Sequence, residues 1–139
     1  MSEFTPPSWN DLRNQNDLEK LIASSSKQPV MLFRYNSAEE HEAAIKKSME
    51  DEWELKEPLP SFILDDNLNH YFSTSVCERL RVVDTAPQVM LIVDGEVIYD
   101  ECDDTISAKK IMLAMRIINR TFKWMETRQQ KKAPGNPKA

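Results

Sequence analysis

The thiols and imidazoles of this sequence, the side chains most readily put to nucleophilic or proton-transfer chemistry near neutral pH, are Cys77, Cys102, His41 and His70. The cysteines lie far apart with no C-x-x-C pair, so the spacing implies neither a zinc site nor a dithiol redox motif. Cys77 falls on the apolar side of an expected helix, where a thiol packs as a small hydrophobe. Cys102 sits between Glu101 and Asp103-Asp104, a setting unfavourable to a thiolate nucleophile. His41 and Glu39 make an acid/base pair on paper, but capping and the helix dipole explain such residues in a first turn. His70 reads as a surface or capping residue. Two separate histidines give no metal-ligand spacing, and the carboxylate runs fall on solvated turns. Gly95 and Gly135 are the only glycines, so no loop cradles a phosphate. The expectation is no catalytic residue, no cofactor and no metal.

The elements that position these groups are organised around residues 85–101, TAPQVMLIVDGEVIYDE. Pro87 precedes the most apolar strand of the chain, 88–93, because a residue without an N–H fits the first strand position. Asp94-Gly95 then forms a two-residue turn into a second strand, 96–100, a strong hairpin signal. Upstream, 9–12 reads as a short strand or turn. Asn16 or Asp17 caps a helix with Leu18, Leu21 and Ile22 on one side. Pro29 opens the strand 30–35, whose run VMLF suits a strand buried on both faces. Ser37 and Glu40 form a capping box for a helix with Ile45, Met49 and Trp53 on its apolar face. Pro58 and Pro60 end that segment, 61–64 is a short strand, and 69–80 is a helix with Phe72, Val76, Cys77 and Leu80 inward.

Strands and helices alternating, closed by an antiparallel hairpin, imply an α/β fold in which helices cover both faces of a mixed sheet. The 139 residues fit one domain over 9–130, with a loose arm at 1–8 and a disordered polar tail at 131–139. No run reaches the ~20 apolar residues of a membrane helix, and the N-terminus lacks a signal-peptide pattern. A cytoplasmic protein without a membrane partner is expected. The net charge of −5 hides a division: residues 1–104 carry 22 acidic against 9 basic side chains, whereas 105–139 carry 9 basic and only Glu126. Either the terminal segment compensates the acidic body or it meets an anionic partner. Nucleic acid is not expected, since overall basicity and interleaved aromatics are missing.

The chain resembles the thioredoxin-fold proteins, and among them the monothiol bacilliredoxin-like group, over about 9–107, most of the body. The resemblance rests on Trp9 and Leu12, on PVMLFRYNS at 29–37, and on Ser73, Val76, Leu80 and Val82. It continues through Ala86-Pro87-Gln88 and VDGEVIYD at 93–100. It implies a cis bond before Pro87, facing the active site, and a nucleophilic cysteine at the start of the second helix. Glu39 stands at that matching position, or Ala38 with the alignment shifted by one residue. Two family histidines are matched by Asp84 and Asp103. A carboxylate cannot perform thiol–disulfide exchange. The resemblance therefore implies a binding surface without its chemistry: an extended peptide pairing beside Thr85, Ala86 and Pro87, flanked by Tyr35, Asn36 and Glu39. The alternative is a thiol oxidoreductase using Cys77 or Cys102.

The last helix, expected over 105–130, is long for such a sheet. Ile111, Met115, Ile118, Phe122 and Met125 form one apolar stripe. Ile106, Leu113, Ile117 and Trp124 form a second, beside a basic face of Lys109, Arg116, Arg120 and Lys123. The second stripe is either a wider core contact or an exposed patch for a protein partner, most simply a homodimer.

Overall fold

The computed structural model describes residues 5–135, with side chains through residue 121. The elements follow the expected order: β1 (Trp9–Asp11), α1 (Gln15–Ser25), β2 (Val30–Tyr35), α2 (Glu40–Asp51), β3 (Ser61–Asp65), α3 (His70–Leu80), β4 (Gln88–Val93), β5 (Glu96–Cys102) and α4 (Ala108–Gly135). A 3-10 turn, Asp103–Thr105, joins β5 to α4. The sheet order is β1-β3-β2-β4-β5. β3 runs parallel to β1 and β2, while β4 is antiparallel to β2 and β5 to β4.

The central strands β2 and β4 are continuous apolar runs because both sheet faces are covered. Val30, Leu32, Met90 and Ile92 meet Leu18 and Leu21 of α1 and Val76 and Leu80 of α3. On the other face Met31, Phe33, Val89 and Leu91 meet Met49 of α2, Trp53, and Ala108, Ile111 and Met115 of α4. In β5 every second residue is exposed, as an edge strand with one solvated face requires. Its turn has φ of 53° at Asp94 and 78° at Gly95, the paired positive values that match the strand twist. Ser25, which ends α1, is buried under this turn; its carbonyl accepts the Asp94 N–H at 2.7 Å and its hydroxyl the Gly95 N–H at 2.9 Å.

Several boundaries differ from expectation, four of them for a local hydrogen-bonding reason, and α4 runs to Gly135, past the expected end at 130. Asn14, not Asn16 or Asp17, caps α1, its side chain accepting the Asp17 N–H at 2.9 Å. α2 starts at Glu40, and the Ser37 capping box does not form, because residues 36–39 make a separate turn. β5 runs on to Cys102, since Gln88 and Cys102 still pair. α4 starts at Ala108, where Ser107 Oγ accepts the Lys110 N–H at 3.1 Å, while Thr105 ends the 3-10 turn.

The two stripes of α4 also resolve differently. Ile111 and Met115 are buried, and Leu113 and Ile117 are 50% and 66% exposed. Ile106 packs against the core beside α2 and α4, so it leaves the expected outer stripe. The side chains of Phe122, Lys123, Trp124 and Met125 lie outside the description, as do residues 1–4 of the expected arm and 136–139 of the expected tail. No helix among the described residues is long and apolar enough to cross a membrane.

Candidate functional site

The register of β2 on β4 sets Arg34 opposite Gln88, so the segments beyond them, 35–39 and 85–87, leave the sheet side by side. The structure thereby brings together the residues expected at the peptide-binding surface. In the first segment Asn36 governs the turn: its Oδ1 accepts the Ala38 N–H at 2.9 Å and its carbonyl the Glu39 N–H at 3.0 Å. Its own N–H donates to Glu42 Oε1 at 2.8 Å, and Ser37 N–H donates to Asp65 Oδ1 at 3.0 Å. Glu39 is the N-cap of α2 in extended conformation, with no side-chain cap bond and its carboxylate exposed. Glu40 and Glu42 occupy the first turn, where the helix dipole favours negative charge.

In the second segment the Ala86–Pro87 bond is cis. Pro87 is buried, Ala86 half-buried and Thr85 exposed. The Pro87 carbonyl accepts the Asp103 N–H at 2.9 Å, which ties the proline loop to the 3-10 turn. His41, on α2, reaches the same turn: its Nε2 lies 3.1 Å from Asp104 Oδ1 and 3.6 Å from Asp103 Oδ1. Among the described residues these three are the one group placed to hold a cation. Sequence spacing missed it because the turn, not the chain order, assembles it. All three are exposed, and the contact of His41 Nε2 with the two carboxylates accounts for the grouping.

Beneath the surface lies a feature that sequence reasoning passed over. Arg34 is 2% exposed; its Nε donates to Ser73 Oγ at 2.7 Å, and its Nη2 pairs with Asp84 and, at 3.7 Å, with Asp66. Asp84 also accepts from Thr74 Oγ1 at 3.2 Å, and His70 Nδ1 stands 3.2 Å from Asp66. A buried cation must be paired, so an arginine ending an apolar strand was the available signal. Through it β2 holds the turn after β3, the body of α3 and the loop before Pro87.

Cys77 lies beside this network, 2% exposed. Burial pushes its thiol pKa up, with Arg34 opposing and Asp84 adding to the rise. Cys102 is exposed at the end of β5. Tyr35 is half-buried, and burial foremost raises its phenol pKa. Its ring stands 5.5 Å from Phe33, and it lines a cleft of about 540 Å³ with Trp9, Lys46, Leu68 and Phe72. Leu68, Tyr71 and Val83 are 71%, 88% and 74% exposed. Tyr71 and Thr74 share a face of α3 at i, i+3 spacing, and Thr74 bonds the residue after Val83, so Tyr71 and Val83 border one surface.

The family model of monothiol bacilliredoxin BrxC matches residues 10–111. No curated protein matches the chain significantly. Solved structures share the fold: thioredoxin from Malassezia sympodialis at 10% identity, covering 83% of this chain and 95% of that one with a TM-score of 0.61. Thioredoxin from Schistosoma mansoni gives 15%, 78%, 94% and 0.59 for the same quantities. A mutant thioredoxin from Halobacterium salinarum gives 13%, 82%, 93% and 0.59.

Proposed function

The chain belongs to the monothiol bacilliredoxin BrxC family, with a thioredoxin-like fold, and from that membership we propose that it works by binding a protein segment rather than by thiol exchange. The observation that carries this reading is the N-cap of α2, the helix whose His41 reaches the turn bonded to the cis-proline loop, where Glu39 presents an exposed carboxylate. A helix N-terminus favours a thiolate there, but a carboxylate has no sulfur with which to form a mixed disulfide. What remains is the surface. An extended partner segment pairs with the backbone at Thr85 and Ala86, beside Pro87, as an added strand. Tyr35, Asn36 and Glu39 line one side, and the exposed Leu68, Tyr71 and Val83 add apolar area of the kind that marks a binding face. Two unpaired thiols suit a reducing cytoplasm.

The test has two arms. Turnover of a mixed disulfide with a low-molecular-weight thiol is expected to be absent in wild type. Capture of a partner from native lysate is expected with wild type and lost with Pro87→Ala. Robust turnover abolished by Cys102→Ser or Cys77→Ser overturns the reading.

One observation favours an oxidoreductase as the second reading. Cys102 is exposed and directly precedes Asp103, whose N–H bonds the Pro87 carbonyl. In that reading the Cys102 thiolate attacks one sulfur of a disulfide, the S–S bond breaks, and the other sulfur leaves as a thiolate. Cys77 serves it less well, being buried with a raised pKa.

A further inference from the structure

The cleft beside Tyr35 crosses the C-terminal ends of the parallel strands β1, β3 and β2. Topology places it there. β2 leads into α2 on one face of the sheet and β3 into α3 on the other, and α/β sheets take their ligands in the crevice outside strand ends whose connections diverge. Trp9, Tyr35 and Phe72 give the cleft an aromatic lining, and Leu68 adds an aliphatic side chain. Four charged side chains line it too: Asp11, Arg13, Lys46 and Asp65. Among the described residues Arg13 pairs with Asp11 at 2.8 Å and Lys46 with Glu50 at 2.8 Å, whereas Asp65 has no ion pair. Asp65 Oδ1 accepts the N–H groups of Ser37 and Asn67 at 3.0 and 3.1 Å, which leaves Oδ2 without a donor among the described residues. Tyr35 and Asp65 are register partners on neighbouring strands. Ser37 belongs to the turn that runs beside the proline loop, so the cleft and the proposed binding surface share a border.

We infer that the segment bound beside the cis-proline loop presents a lysine or arginine, whose side chain enters this cleft and ends on Asp65. The inference deepens the peptide-binding reading and rests on it. A long cationic side chain matches both parts of the lining: its methylene stem covers apolar surface while its charged head stays at a polar end, and aromatic faces attract a cation. An aliphatic side chain would cover Asp65 without supplying a donor, and a carboxylate shut off from water unpaired is costly. An acidic side chain would meet like charge at Asp65. It would meet more around the proline loop, where Glu39, Glu40, Asp103 and Asp104 are all exposed. β2 lies between β4 and β3, so about two strand spacings of ~4.8 Å separate the proline loop from Asp65. An extended segment crossing Tyr35 covers that distance in about three residues.

A peptide array probed with the full chain tests the inference. The immobilised peptides are random except for one fixed residue, Lys, Arg, Leu or Glu, placed in turn at each position. At one position the Lys and Arg arrays are expected to retain about fivefold more protein than the Leu and Glu arrays, the ratio given by an ion pair of about 1 kcal/mol. The preference is expected to shrink as salt is raised. Asp65→Asn keeps an acceptor for the Ser37 N–H and removes the charge, and it is expected to erase the preference. Leu68→Lys places a competing cation at a position 71% exposed, where folding does not depend on the side chain, and is expected to erase it as well. Circular dichroism is expected to be unchanged in both variants. Equal retention of all four arrays, lost with Pro87→Ala, overturns the cationic selectivity and leaves the binding surface standing. Retention of none overturns both. A preference for Leu or Glu overturns the inference, as does a cationic preference that survives both Asp65→Asn and Leu68→Lys.

Discussion

Arg34 and Asp84 are an ion pair of unequal burial: the guanidinium is 2% exposed and the carboxylate 41%. Asp84 lies three residues before Pro87 in the chain, so the pair anchors the proline loop to the central strand. Because Arg34 cannot recover water when a partner is lost, the cost of breaking the pair falls on the arginine.

Asp84→Ala is therefore expected to destabilise the fold by about 1.5–3 kcal/mol, the range for a hydrogen bond to a charged group. Asp66, 3.7 Å from Nη2, keeps the loss below that of a fully orphaned buried cation. Arg34→Met in the Asp84→Ala background is expected to cost less than the sum of the two single changes. Chemical denaturation of the four proteins closes this cycle, and strict additivity would refute the pairing.

The two thiols are expected to differ sharply toward an aromatic disulfide reagent. Cys102 is exposed and reacts in native protein, whereas Cys77 is buried with a raised pKa, and only the thiolate reacts. One thiol should titrate quickly and the second only as the protein opens or is denatured. Cys102→Ser should remove the fast phase and leave the slow one, read from the absorbance trace.

The Tyr99 phenol has its pKa pushed up from 10.0 to about 12, by burial first and then by the charge of Glu101. A raised pKa in the folded state means that the neutral phenol is favoured there. Its contribution to stability is present below pH 10 and is lost as pH climbs toward 12. The expected outcome is a phenolate absorbance step near pH 12 that Tyr99→Phe removes. That variant should also lose less stability than wild type between pH 10 and 12.

Much of the fold was legible because periodicity and turn chemistry are local. The apolar runs of β2 and β4 and the Asp94-Gly95 turn stand in the sequence in the form in which they fold. Helix starts were less legible: Ser37 has the spacing of a capping box with Glu40, yet it sits in a turn with Asn36 and the helix starts after Glu39. The structure settles it through Asp65 and Glu42, partners that the chain order does not put beside the turn. The candidate site was legible as far as its backbone segments. The Arg34 network was not, because Asp66, Ser73 and Asp84 become its neighbours only when β2, α3 and the proline loop pack together. Ile106 and Leu113 show the same limit: helical spacing assigned them to one stripe, yet the chain is not helical at 106, and the first packs inward while the second faces water.

Glu39→Cys offers the most direct examination of the proposed binding surface. The introduced thiol would stand at the N-cap of α2, where backbone N–H groups and the helix dipole favour a thiolate. The cis-proline loop and His41 on the same helix are already in place. Opposing them are the first-turn carboxylates Glu40 and Glu42, which disfavour a second negative charge. Mixed-disulfide turnover is expected to rise from none to a measurable rate with Glu39→Cys, and to rise further when Glu40→Gln is added. The first exchange step balances: the new thiolate attacks one sulfur, the S–S bond breaks, and the low-molecular-weight thiolate departs; further turnover needs an added thiol. A free thiol in solution then resolves the mixed disulfide formed on the protein. If Glu39→Cys alone stays inert although its thiol is alkylated readily, the surroundings as well as the nucleophile have departed from redox use. Turnover that instead requires Cys102 in this background would place the chemistry at the 3-10 turn and favour the oxidoreductase reading.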